Sequence, residues 1–249
     1  MLIGISGVAS SGKDTAARYL AADFQLASIA FADEPKRICQ RVYGFIDEQL
    51  WGPSELRNIP DERYPREHTW RILGDEDVAT GWVCRCCGAD RPVGQSPSIK
   101  QCFLTVRYAL QQLGEMGRDC YRSTWIDITI RDALKLLHDP DEPCGWHYDC
   151  RYGLLLNSKT NTIPNIIRGI IFTDTRHLDE MLAVQKVEGK IIRITRPGAG
   201  LAGGPGQHTS ETEQLSIPDT AFDAVVKNDG TLNDLRLKLR EVGRTVLEL

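Results

Sequence analysis

The chain's 249 residues allow one substantial domain with inserts, and 30 Lys and Arg against 34 Asp and Glu give a formal charge of −4, which excludes the global basic footprint of a nucleic-acid binder and leaves only a local basic groove possible. The apolar start MLIGIS is too short for a signal peptide and lacks its charged leader, and no stretch is long enough to span a bilayer, so a cytoplasmic protein is expected. Eight cysteines without an export signal point to reduced thiols or metal ligands, not to a disulfide framework.

Taken in chain order, residues 2–6 read as a buried first strand, GVASSGKDT (7–15) as a glycine loop, and KDTAARYLAADF as a helix packed on a sheet. FQLASIAFA predicts a second short strand, and DEPKRICQRVYG a helix with Pro35 in its first turn and Gly44 as its stop. Residues 44–80 are polar and aperiodic and read as a lid or substrate-side excursion, which the turn-rich insert CRCCGADRPVGQSPSIKQC extends to 102. FLTVRYALQQLGEMG (103–117) and STWIDITIRDALKLLH (123–138) have helical periodicity, the second with Ser123 as cap. A second insert, 139–163, leads into NIIRGIIFTD, whose β-branched run suits a buried parallel strand. RHLDEMLAVQKV then reads as a helix, KIIRITR as a strand, the glycine-rich 196–212 as a closing loop, FDAVVKN as a last strand, and Thr231 with Asp234 as a capping box for the final helix. Strands alternating with helices imply one α/β domain over 1–249, a three-layer fold whose parallel sheet binds ligands at the carboxyl ends of its strands.

The G-x-x-x-x-G-K pattern between a strand and a helix predicts a phosphate loop. Gly7 and Gly12 let backbone N–H groups turn inward around an anion, Ser10 and Ser11 lie within the loop, and Lys13 brings a positive charge to the β- and γ-phosphates. Asp14 stands where such loops usually carry Ser or Thr. It either holds magnesium or caps the helix start while Thr15 supplies the hydroxyl. Asp174 ends an apolar strand, where it either orients the magnesium shell or caps the next helix, and Arg176 is placed to stabilise a transferring phosphoryl group. FADEPKR offers Asp33, Lys36 and Arg37 as substrate-binding candidates or as solvated helix charges, and the same choice covers Arg107, Gln111, Arg118 and His208.

Together, SGVASSGKDT, VRYALQQLG, FTDTRHLDEM, IRITRPG, HTSE and VVKNDGTLNDL resemble the phage deoxynucleoside monophosphate kinases, a branch of the P-loop nucleotide kinases, over about two thirds of the chain. The resemblance implies an ATP- and Mg2+-dependent enzyme converting deoxynucleoside monophosphates to diphosphates in the cytoplasm, that of a host if the chain is phage-encoded. It places the donor triphosphate on Lys13 and its loop, the transferring phosphoryl near Asp174 and Arg176, a lid at Arg196 and the loop after it, and the acceptor near Arg107 and Gln111. Its partners are small-molecule nucleotides, with no membrane or obligatory nucleic acid, and a dimer is the assembly to expect. The same fold acting on a hydroxyl of a small metabolite or of a modified base in DNA is a second possibility, and a nucleotide-switched nucleic-acid binder a third.

The family pattern does not reach the cysteines. Cys84-x-x-Cys87-Gly88 has the spacing of a zinc knuckle, with Cys144 and Cys150 as further ligands, and Cys86, Cys102, Cys120 and His147 as other candidates. A structural zinc remote from the phosphates, and a set of reduced thiols in two variable loops, both fit that pattern.

Overall fold

The computed structural model of the protein describes residues 1–73, 81–99, 101–138, 168–200 and 209–247, which fall into two compact units, 1–31 with 123–247 and 32–122. The first unit holds a five-stranded, all-parallel sheet built from β1 (Leu2–Ser6), β2 (Leu26–Ile29), β8 (Gly169–Phe172), β9 (Lys190–Thr195) and β10 (Ala224–Lys227), in the order β2-β8-β1-β9-β10. The strands read as near-continuous apolar runs because both sheet faces are covered. Ile3, Ile5, Ile171, Ile192 and Ile194 point to one face, where they meet α1 (Lys13–Phe24) and α8 (Leu232–Thr245) through Ala16, Ala17, Leu20, Phe24, Leu235 and Leu239. Their neighbours Leu2, Ile170, Phe172 and Ile191 point to the other, against α5 (Thr124–His138) and α6 (Leu178–Lys186) through Ala133, Leu136, Met181 and Val184. This two-residue alternation fixes the register: a one-residue slip of β1 would trade Ile3 and Ile5 for Gly4 in the first core. A seventh helix, α7 (Thr209–Ser216), precedes β10.

The predicted strands and helices of this unit therefore stand, and Thr231 and Asp234 form the expected reciprocal cap of α8, with Asp234 N donating to Thr231 Oγ1 at 3.2 Å and Thr231 N to Asp234 Oδ2 at 2.8 Å. The insert 139–163 lies wholly, and the loop 196–212 partly, outside the described residues.

Helices α1 and α8 are also joined electrostatically. The enclosed Asp23 carboxylate accepts two hydrogen bonds from Arg236 (2.5 and 3.0 Å) and two from Arg240 (2.8 and 3.2 Å), and these guanidinium contacts hold its pKa far below the usual carboxylate range. A depressed carboxyl pKa adds stability above the unfolded value of about 3.9 and loses it as pH falls towards the folded value. Asp23→Asn is expected to lower unfolding free energy by about 1–2 kcal/mol at pH 7, charge-assisted bonds discounted for two half-exposed arginines, and the gap from wild type should hold down to about pH 4 and begin to narrow only below it.

The second unit is made of α2 (Asp33–Tyr43), α3 (Asp47–Trp51), a 3-10 turn at Ser54–Asn58, strands β3 (Pro60–Arg66), β4 (Trp70–Leu73), β5 (Gly81–Cys84), β6 (Asp90–Pro92) and β7 (Cys102–Thr105), and α4 (Val106–Cys120). Gly44 ends α2 in the left-handed region at φ 60°, as its position predicts. Antiparallel β3 and β7 form one small sheet, and β4-β5-β6 another. The helix expected from Phe103 begins only at Val106. Phe103–Thr105 instead pair with β3, and Thr105 turns the chain by accepting Tyr108 N at 3.2 Å as the cap of α4.

Candidate phosphate-binding site

Strand β1 lies at the centre of the sheet, flanked by β8 and β9, and the loop that leaves its carboxyl end occupies the crevice where parallel sheets of this kind bind ligands. Two glycines are required there. Gly7 has φ 152° and a Cβ would come within 2.6 Å of Ile194 O, while Gly12 has φ 94° and a Cβ would collide with the Asn228 amide. That amide donates to Ser11 O at 2.9 Å and pins the loop from the end of β10. Gly12 is the N-cap of α1 and has no side chain with which to cap it, so the positive end of a twelve-residue helix faces the loop. Ser10 takes φ 62°, and Ser11 Oγ is buried with no protein partner among the described residues. A buried orphan hydroxyl, an uncapped helix start and a backbone cradle closed to any Cβ fit an anion.

Lys13, buried at 8% exposure, lies with Nζ 3.9 Å from Asp174 Oδ1 and 4.0 Å from Asp14 Oδ1. Asp14 itself is exposed in the first turn of α1, and Thr15 Oγ1 accepts from Arg18 at 3.4 Å. Since Gly12 is the cap, the capping role open to Asp14 in the sequence is already taken. The same holds for Asp174: His177 is the N-cap of α6, and Glu180 Oε2 accepts both His177 N (3.0 Å) and Arg176 N (2.6 Å). Burial pushes the Glu180 carboxyl up, while these amides favour its ionised form. Asp174 is left to accept Arg176 Nε at 2.6 Å, so one carboxylate faces both candidate cations.

Three residues of this site are not visible as such in the sequence. Gln214 bridges Ser6 Oγ (2.5 Å) and Arg176 O (2.5 Å), tying the end of β1 to the arginine's backbone, and buried Arg193 holds α7 in place through Gln214 O and Ile217 O, each at 2.7 Å. Asn228, which the sequence shows only as the end of the last predicted strand, is the third. Beyond β9, exposed Arg196 begins the expected lid, and Gly200 N donates to Ala9 O at 2.9 Å, placing the segment against the phosphate loop. His208 lies outside the described residues.

The remaining candidates belong to the 32–122 unit. Asp33 and Arg37 are buried, which corrects their reading as solvated charges. Asp33 Oδ1 accepts Trp51 Nε1 at 3.0 Å and Lys36 Nζ at 3.3 Å, and Arg37 pairs with Glu34 at 2.8 Å. Arg107, on α4, holds the 3-10 turn by donating to Asn58 Oδ1 (2.5 Å) and Ser54 O (3.1 Å), with Gln111 one turn further along the same face and Arg118 also exposed.

No protein-family model matches the chain. A curated protein of Acanthamoeba polyphaga mimivirus, named "Putative deoxynucleotide monophosphate kinase", is 39% identical to it over 235 residues, covering 94% of this chain and 91% of the viral one. The chain belongs to the deoxynucleotide monophosphate kinase family. A solved dephospho-CoA kinase from Campylobacter jejuni aligns over 99% of this chain and 98% of its own at 12% identity, with a TM-score of 0.39. Among the described residues of this family member, no helix is long and apolar enough to cross a membrane.

Proposed function

We propose that the protein transfers the γ-phosphoryl group of ATP to the phosphate of a deoxynucleoside monophosphate. The observation that carries this reading is the cluster at the head of α1, where Lys13 and Arg176 converge on Asp174 beside an uncapped helix start. Loop amides bind the donor's phosphates and Lys13 follows the charge towards the γ-phosphate. Arg176, presented by a backbone that Glu180 and Gln214 hold, meets the oxygens over which charge spreads in the transition state. Asp174 and Asp14 are the carboxylates suited to hold a magnesium ion, which when bound supplies further neutralisation between the phosphates. The acceptor is already an anionic phosphate, so alignment and charge neutralisation suffice and no strong general base is required.

The acceptor is assigned to the face of Arg107 and Gln111, with Asp33, Lys36 and Arg37 as supporting polar groups, and Arg196 with its loop covers the donor. Arg107→Ala is expected to raise the acceptor's KM roughly tenfold with little change in the KM for ATP, as loss of a ground-state contact does. A larger rise for ATP would mean that the two sites are interchanged. The function itself is tested by offering γ-labelled ATP with deoxynucleoside monophosphates, nucleosides and hydroxymethylated DNA in parallel. Label is expected in the diphosphates alone; label in the DNA or on a nucleoside hydroxyl would replace this acceptor class.

A further inference from the structure

In the 32–122 unit, His68, Cys84, Cys87 and Cys102 place one ligand atom each within 4.8 Å of one another. They come from three separate segments: the connection between β3 and β4, the β5–β6 turn, and the first residue of β7. Cys84 Sγ and Cys102 Sγ are 3.8 Å apart, far beyond the ~2.05 Å of a disulfide. Cys87 Sγ and His68 Nδ1 are 3.5 Å apart. A tetrahedral ion with Zn–S of about 2.3 Å and Zn–N of about 2.0–2.1 Å requires an S···S edge of about 3.8 Å and an S···N edge of about 3.6 Å, and both observed separations meet that requirement.

We propose that His68 Nδ1 and the thiolates of Cys84, Cys87 and Cys102 bind one structural zinc ion. Several local features are otherwise unexplained. The turn is closed by Gly88 N donating to Cys84 O at 3.0 Å and Cys84 N to Ala89 O at 2.9 Å, with Gly88 at φ 72°, so both knuckle thiols project to one side. Cys86 belongs to the same turn but is not a ligand: its Sγ donates to Phe103 O at 3.1 Å. The imidazole of His68 stacks on Trp70 at 4.6 Å, a contact that holds the half-buried ring while its Nδ1 faces the Cys87 thiol. The buried hydrophobic cluster here consists of Cys84, Cys86, Ala89, Cys102 and Tyr108, with Trp70, Cys87 and Leu104 packed against it, a small apolar core to which a bound ion would add a cross-link between the segments. Three thiolates and one imidazole select zinc by softness and geometry, and a fourfold protein shell leaves no position for substrate, so the ion is structural. It anchors β7, which runs directly into α4 and Arg107. His68 and Cys102 thereby replace Cys144 and Cys150, which lie outside the described residues, as the partners of the knuckle.

The test is metal analysis of the untagged full-length chain, purified without chelator. One zinc per chain is expected in wild type and in Cys120→Ser, whose cysteine is exposed and outside the cluster, and less than a tenth of that in His68→Ala, Cys84→Ser and Cys102→Ser. Because ligand variants can fail to fold, wild-type protein is also titrated with an organomercurial, which should release one zinc, and rebuilt with Co2+, which should show the thiolate charge-transfer absorption of a tetrahedral site made of three sulfurs and one nitrogen. Zinc-free or iron-containing wild type overturns the proposal. So does zinc that survives Cys84→Ser and is lost in Cys144→Ser or Cys150→Ser. All these readouts are independent of the kinase assignment.

Discussion

Lys13→Ala should lower kcat about a thousandfold, the scale of one lost phosphate-stabilising group, in a protein that still folds. The lysine is the first residue of α1, and its charge is directed at Asp174 and Asp14 and not into the apolar core formed by Ala16, Ala17 and Leu20. Alanine is a good helix former at that position, so the substitution removes an ammonium group and leaves the packing. Circular dichroism and thermal unfolding check the fold, and steady-state assays with excess ATP check the rate. Wild-type turnover in a folded variant would remove the phosphate loop from the mechanism.

Arg176→Ala is the second large effect expected, a loss of roughly a hundredfold to a thousandfold in kcat with KM for ATP within a few-fold of wild type. Its backbone is held independently of the side chain, N by Glu180 and O by Gln214, so truncation withdraws the guanidinium without releasing the turn. Lysine at this position should recover part of the rate, because it restores charge without the planar fork. If Arg176→Ala instead raised the KM for ATP with kcat intact, the arginine would be a ground-state binding group, and Asp174 would be the partner that holds it away from the transferring phosphoryl.

Much of this site could be read from the sequence because its determinants are local. Gly7, Gly12 and Lys13 lie within seven consecutive residues, and the flanking strand and helix each announce themselves by periodicity. The β-branched runs at 169–172 and 190–195 likewise identify buried parallel strands with no knowledge of their partners. Asp174 reads as a helix cap by residue type, whereas His177, an uncommon capping residue, takes that role together with Glu180. Gln214, Arg193 and Asn228 act across 21 to 217 residues of sequence, and nothing near them marks their partners. In the other unit, Pro60 and Pro65 disguise β3, whose bulge between Asp61 and Pro65 breaks the alternation a strand should show. Strand β7 merges into α4 without a glycine or proline between them, so apolar periodicity alone ran the helix three residues too far. His68 was hidden for a different reason. A zinc knuckle fixes the spacing of its own two cysteines, but the segments bearing the other ligands are set by tertiary structure.

The most direct test of the central claim is one reaction, run with each deoxynucleoside monophosphate in turn: full-length protein, γ-labelled ATP, magnesium and the monophosphate, with all nucleotides resolved over time. The account predicts label accumulating in the deoxynucleoside diphosphate in step with ADP, over many turnovers, and none above background with Lys13→Ala. Label released only as inorganic phosphate, or retained in ATP while the folded protein is saturated with each monophosphate in turn, would contradict it.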